Sequence, residues 1–314
     1  MDVVAQYKDA GILSQIEPTL NAFYPLLEQR ASDIDRVQTR TFKYGSTERH
    51  QLDIYYPPST TTGTAPILFF VYGGGYLAGD KRFPAPHSLL WGNVGAFFAE
   101  RGYVTIIADY RLLPAIKFPD PVIDIKDAVA WVVAHEEDIN DESSVHVDID
   151  NIFLMGHSAG AAILATFLLL PDFVPPLVKP RIRGVVLQAG MHHLQTKVLD
   201  VPSASLAYYG SQDSIRDNAP LGLLLRAQEE TISGLPDIIT AISQYEAPGL
   251  LEAHGAFLEA LRERTKRDIG VIVMNGHHHI SPHMALYTGV GEEWACKCDA
   301  WMKERLKSVT GIRV

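Results

Sequence analysis

Ser158 lies in Gly156-His157-Ser158-Ala159-Gly160, between the apolar run Ile152-Phe-Leu-Met155 and a second apolar run over 161–170. Two buried elements meeting at a serine flanked by glycines fit the G-x-S-x-G turn. There a tight strand-to-helix bend holds a hydroxyl at the carboxyl edge of a sheet. The helix N-terminus behind it favours negative charge. The plainer alternative is a small-residue junction with a capping serine. A serine hydroxyl attacks an acyl carbonyl only with a base to take its proton and donors to hold the oxyanion. Val71-Tyr-Gly-Gly-Gly-Tyr76 fits the donors: three glycines let successive N–H groups point into one small volume. It lacks the Gly-Lys-Ser/Thr of a phosphate loop.

The base is expected after the last strand, where the sequence reads Gly276-His277-His278-His279-Ile280-Ser281. His279 is the first choice, because Ile280 can anchor the loop in the core; His277 is the second. A metal site on His277, His279 and His283 is the rival use of these rings, with no Asp or Glu among them. The acid must fall between serine and histidine in the chain. Glu246, in Ile242-Ser-Gln-Tyr-Glu246, follows an apolar strand and precedes a helix, which puts it at the same sheet edge. Asp213, in Tyr209-Gly-Ser-Gln-Asp-Ser214, is the alternative, inside an irregular segment. The expected triad is Ser158, Glu246 and His279.

Only a regular scaffold can bring these residues together. Residues 3–30 carry apolar positions at helical spacing, with Pro18 and Pro25 expected to break the run. Residues 40–44 and 51–56 read as a hairpin, and 57–63 as a surface loop. Strands are then expected at 67–71, 104–108, 152–155, 184–187, 238–242 and 271–274. Helices are expected at 89–101, 122–135, 159–170, 250–264 and 292–306. Strands apolar throughout and alternating with helices imply an α/β fold with a mostly parallel sheet covered on both faces. Residues 195–235 interrupt the alternation with turn residues and one helical patch at 221–232. The expected organisation is a helical segment 1–36 joining a cap, a core of 37–194 and 236–314, and a cap insertion at 195–235.

The chain has 314 residues and a formal charge of −10, with no clustered Lys and Arg of the kind that binds nucleic acid. The longest apolar run, 161–170, is too short to span a bilayer, and residues 1–9 have no signal-peptide pattern. Cys296 and Cys298 sit two apart in an expected helix, so their side chains diverge and a disulfide is disfavoured. A cytoplasmic setting is expected, with no cofactor. The oligomeric state is left open, a homodimer included.

Taken together, Tyr72-Gly-Gly-Gly75, Ala108-Asp-Tyr-Arg-Leu-Leu-Pro114, Gly156-His-Ser-Ala-Gly160 and Gly276 to Ser281 resemble the α/β-hydrolase superfamily. Within it they resemble the hormone-sensitive-lipase-like esterases, over about residues 66–306. The resemblance implies Gly74, Gly75 and Ala159 as oxyanion amides, and 109–114 as a buttress for the glycine turn. It implies a cap that shapes the substrate pocket, and a small-molecule carboxylic ester of small to medium acyl group as substrate. The family normally has His where this chain has Tyr72, and Asp where it has Glu246. Its relatives include arylformamidases, so an amide or formamide is a second substrate class. A non-catalytic ligand-binding relative of the same fold is a third reading.

Overall fold

A computed structural model describes residues 1–58, 63–140, 145–193 and 203–310, with side chains to 307. Three N-terminal helices come first: α1 (Asp2–Gln6), α2 (Ile12–Glu28) and α3 (Ala31–Arg36). Contrary to the sequence expectation, Pro18 and Pro25 do not break α2. Gln15, Thr19, Phe23 and Leu27 recur every fourth residue and form its buried stripe. The two prolines are seven residues apart, away from that stripe. The carbonyls they leave unpaired, on Ser14 and Asn21, belong to exposed residues where water can replace the lost donor.

The core is one eight-stranded sheet, in the order β1-β2-β4-β3-β5-β6-β7-β8. β1 (Thr39–Lys43) and β2 (Gln51–Tyr55) form an antiparallel hairpin, and β2 runs antiparallel to β4 (Val104–Ala108). From there the pairing is parallel through β3 (Thr64–Val71), β5 (His146–His157), β6 (Ile182–Gln188), β7 (Asp237–Tyr245) and β8 (Val271–His278). The inner strands β3, β4, β6 and β7 are apolar on both faces because helices cover both, whereas edge strand β8 leaves Val271, Val273 and Asn275 exposed.

Those helices are α4 (Gly92–Ala99), α5 (Asp120–Ala134), α6 (Glu136–Asn140) and α7 (Ala159–Leu169). Every residue of α7 is buried, so it is apolar all round rather than striped. Truncating one of its large side chains, Leu164→Ala for example, would cost about 2–5 kcal/mol. That packing anchors the turn at its N-terminus.

The part of 195–235 that is described, 203–235, folds into four short helices: α8 (Ser203–Tyr209), α9 (Gln212–Asn218), α10 (Pro220–Arg226) and α11 (Glu229–Ser233). The expected single patch at 221–232 is therefore two helices. Ala227 and Gln228 leave the helical conformation between them. Residues 195–202, and 59–62 of the expected loop, lie outside the described residues. The chain then returns to the sheet and continues through α12 (Pro248–Thr265), α13 (Ser281–Ala285) and α14 (Glu293–Thr310). Among the described residues, no helix is long and apolar enough to cross a membrane.

Candidate active site

Ser158 follows β5 directly and caps α7, with φ 54° and ψ −119°. A non-glycine residue there is strained, and the surroundings must hold it. The Ser158 N–H donates to Gln188 O on β6 at 2.9 Å, and Ala162 N donates to Ser158 O at 3.1 Å. The flanking glycines answer two close approaches. A Cβ on Gly160 would lie 2.1 Å from Val71 O of β3, and one on Gly156 would lie 2.7 Å from Gly160 O. Neither position accepts alanine without moving backbone.

His279 is the first residue past β8, and its Nε2 lies 2.9 Å from Ser158 Oγ. The other two histidines are turned elsewhere. His277 Nδ1 meets Ser281 Oγ at 2.9 Å and its Nε2 meets Gly291 O at 2.7 Å. His278 Nδ1 accepts from Ile280 N at 3.2 Å, and its Nε2 lies 3.3 Å from Thr19 Oγ1 on α2. Both belong to β8, which runs four residues beyond the expected 271–274, rather than to a loop. Their bonds fix the chain from which His279 projects. His283 Nε2 meets Gln188 Oε1 at 2.8 Å. So the three rings of the metal alternative are tied to separate partners and share none. Among the described residues, no three His, Cys, Asp or Glu side chains are grouped to hold a metal ion.

Glu246 is the first residue past β7, and its side chain is fully buried. Its Oε1 lies 2.9 Å from His279 Nδ1 and accepts from Ala247 N at 3.0 Å. The carboxylate meets the ring off the axis of the N–H, so the contact is close but not a straight hydrogen bond. The pairing of β7 with β8, which sets Tyr245 opposite His278, brings these two residues to one place. Asp213 is remote from this arrangement. It sits in the first turn of α9, its side chain is 81% exposed, and it pairs with Arg216 at 2.7 Å.

The glycine turn leaves β3 with φ 127° at Gly74, 62° at Gly75 and 65° at Tyr76. A Cβ on Gly73 would lie 2.8 Å from Ser158 Cβ, so the turn abuts the serine. Among the described residues, no hydrogen-bond acceptor is found for the N–H groups of Gly74, Gly75 or Ala159. Free amides beside a serine hydroxyl are what a developing oxyanion requires.

Tyr72 donates its OH to Asp109 Oδ1 at 2.7 Å. Tyr110 OH donates to Tyr72 O at 3.0 Å, and Leu113 N donates to Tyr76 O at 2.9 Å. Thus 109–113 braces the turn. Two residues of the site escaped sequence reasoning. Arg49, on the hairpin connection, donates to Tyr72 OH at 2.8 Å and to Gly79 O at 2.7 Å. The His157 ring is tilted against those of His279 and His283, with centroids 4.7 Å and 4.6 Å away. Burial holds His157 well below the usual histidine range, with neighbouring His283 and His279 adding to the effect. The neighbour of the base thus stays neutral. No motif marks Arg49; position alone, next to the nucleophile, could have marked His157.

A cavity of about 660 Å³ lined by Leu168, Pro171, Lys179 and Leu235 lies beside Ile182 and Pro236, where β6 and β7 begin. That is the opposite end of the sheet from Ser158, and the cavity is not part of this site.

A mostly parallel sheet, a serine at the strand-to-helix bend after β5, and an acid and a histidine after β7 and β8 make up the α/β-hydrolase fold. The BD-FAE family model matches residues 52–170. The probable carboxylic ester hydrolase LipM of Mycobacterium tuberculosis is 34% identical over 55% of this chain, and the chain spans only 34% of LipM's length. Kynurenine formamidase of Danio rerio is 24% identical over 69% of this chain and 67% of its own length. Among solved structures, esterase B from Lactobacillus rhamnosis superimposes with a TM-score of 0.69 at 16% identity, covering 94% of this chain and 98% of its own.

Proposed function

We propose that the chain is a serine esterase that hydrolyses small-molecule carboxylic esters through an acyl-enzyme. The observation that carries this reading is the continuous line from Ser158 Oγ to His279 Nε2, and from His279 Nδ1 to Glu246 Oε1, each contact 2.9 Å. In this reading Ser158 attacks the ester carbonyl as His279 takes its proton. Glu246 keeps the ring in the tautomer that presents Nε2 and offsets its charge once protonated. The N–H groups of Gly74, Gly75 and Ala159 hold the tetrahedral oxyanion. His279 then gives its proton to the departing alcohol, and takes another from the water that attacks the acyl-enzyme. Helices α8 to α11 and the N-terminal helices form the cap, which limits acyl groups to small or medium size.

The likeness to a kynurenine formamidase over more than two thirds of the chain favours one second reading, a formamide or amide substrate. The mechanism would be the same, with a nitrogen leaving group. Cys296 and Cys298 are both free thiols, which fits a reducing, cytoplasmic setting. A fluorophosphonate should add one adduct mass to the intact protein, on Ser158. Ser158→Ala should lose both the adduct and the hydrolysis of p-nitrophenyl acetate, by about four to six powers of ten. Labelling elsewhere, or a variant above a tenth of wild-type rate, would end this reading. A panel of p-nitrophenyl esters of graded acyl length, run beside an aryl formamide, separates the two substrate classes.

A further inference from the structure

The turn carrying Gly74 and Gly75 is a loop, 72–81, whose two ends meet at a neck. One oxygen joins them: Asp109 Oδ1 accepts from Tyr72 OH at 2.7 Å and from Lys81 N at 2.5 Å. One guanidinium does the same from the other side. Arg49 Nη2 donates to Tyr72 OH at 2.8 Å, to Gly79 O at 2.7 Å and to Asp109 Oδ1 at 3.4 Å. Its Nη1 donates to Asp80 Oδ1 at 3.0 Å, and its Nε to Tyr110 O at 2.7 Å. The Tyr72 ring fills the space against Gly79, where a Cβ would lie 2.4 Å from it.

We propose that Arg49 is a positioning residue for the oxyanion amides, acting through the neck it closes with Tyr72, Gly79 and Asp109. The inference rests on the esterase reading above. Its physical basis is the run of three left-handed residues at 74–76, ending on a non-glycine, Tyr76. Such backbone persists only where its surroundings over-determine it. Donors that stabilise a transition state contribute fully only if they stand in place before the reaction. A neck held at one end only lets Gly74 and Gly75 drift, and a small misplacement of a reacting geometry is expensive in rate. The substrate's ground state barely uses these amides, so KM is indifferent to them. Lysine cannot replace this arginine, because a single ammonium cannot reach around the neck as a planar fork does.

The test compares Arg49→Lys, Arg49→Ala and Tyr72→Phe with wild type on p-nitrophenyl butyrate. Each variant is checked by thermal unfolding, and Arg49→Ala is also assayed with millimolar guanidinium added. The Arg49 side chain is 28% exposed, so the small cation has a route in. Arg49→Ala should lose about 30- to 100-fold in kcat, and Arg49→Lys and Tyr72→Phe about tenfold, since a displaced donor costs less than a missing one. KM should stay within about twofold, and guanidinium should restore part of the kcat of Arg49→Ala. If Arg49→Ala does not fold, Arg49→Lys and Tyr72→Phe decide. An active wild type whose folded Arg49→Lys and Tyr72→Phe keep full kcat, or change KM alone, overturns this proposal and leaves the esterase reading standing. A wild type that neither hydrolyses the ester nor takes a fluorophosphonate on Ser158 overturns both.

Discussion

The two halves of the site are held by different kinds of interaction. The nucleophile half, after β3 and β5, is built from short-range backbone geometry: a strained Ser158, glycines pressed against neighbouring carbonyls, and a loop closed at its neck. The base half, after β7 and β8, is built from strand register and single side-chain ties. Tyr245 stands opposite His278, Ser243 Oγ donates to His278 O at 3.2 Å, and Gly276 N donates to Gln244 Oε1 at 2.7 Å. Both halves keep buried polar atoms that have no hydrogen-bond partner among the described residues: His157 Nε2 and Gln188 Nε2 in one, Glu246 Oε2 and His254 Nε2 in the other. The contrast fits the chemistry proposed: oxyanion donors must not move, whereas the imidazole shifts slightly as it passes a proton between serine, leaving group and water.

The sharpest way to break this division is at the acid. Glu246→Gln keeps the shape but offers the ring the wrong partner, and kcat should fall by about two to four orders of magnitude. Asp213→Asn removes only an exposed pair with Arg216, so kcat should stay within about twofold. Steady-state kinetics on one ester checks both. If Asp213→Asn is the crippling change, the base half is not organised by the β7–β8 register. His279→Ala should join Glu246→Gln. His277→Ala should cost far less in kcat, because both its ring nitrogens serve the backbone frame and neither meets Ser158.

The same division separates what was legible in the sequence from what was not. The alternation of apolar strands and helices gave the parallel sheet, because buried strands have no polar face to confuse the pattern. Gly156 to Gly160 and Tyr72 to Tyr76 could be read locally, since close backbone approach leaves glycine as its trace. Glu246 was reachable only through the placement of β7, and His279 only as one of three adjacent rings. What separates those rings is the alternation at the end of β8 and the partners waiting on Thr19, Ser281 and Gly291. Thr19 lies far from them in the chain, and none of the three partners forms a motif with its histidine. Arg49 was invisible for the same reason: its contacts fall at 72, 79, 80, 109 and 110. The continuity of α2 through two prolines was missed because burial on the opposite face outweighs two lost hydrogen bonds on an outward one.

Within the nucleophile half, Gly74 and Gly75 should respond differently. A Cβ on Gly74 would lie 1.9 Å from Ala78 O, so Gly74→Ala should rebuild the turn and lower thermal stability along with activity. A Cβ on Gly75 meets nothing within 4 Å. Gly75→Ala should then fold with a penalty of about 1–2 kcal/mol for its left-handed backbone. Its kcat should fall about ten- to a hundredfold, more than KM rises. Unchanged kcat in folded Gly75→Ala would move the oxyanion donors elsewhere.

The smallest expected effect concerns acid stability, and it too divides the halves. Around the serine and the base lie buried imidazoles that burial keeps neutral: His192 and His283 are lowered to about 3, His254 and His278 to about 4, and His157 well below the usual range. Each has a folded pKa below its unfolded value near 6.5. Between those values the unfolded chain binds the proton and the folded chain does not. Stability from each is therefore fully present above about pH 6.5 and is lost as pH falls toward its folded value. The neck of the nucleophile half works the other way. Burial raises Asp109 despite Tyr72 and Arg49, so its one proton is held more tightly when folded and opposes the trend. Several histidines outweigh one carboxyl, and the urea midpoint should fall between pH 7 and pH 5. His283→Gln tests the assignment to a single site. Glutamine can still donate to Gln188 Oε1, the partner His283 meets at 2.8 Å, but it carries no titrating group near His157, His277 and His279. The variant should be somewhat less stable at pH 7 and should lose less stability per pH unit on acidification than wild type. An acid slope equal to that of wild type would mean that His283 takes up its proton in the folded chain.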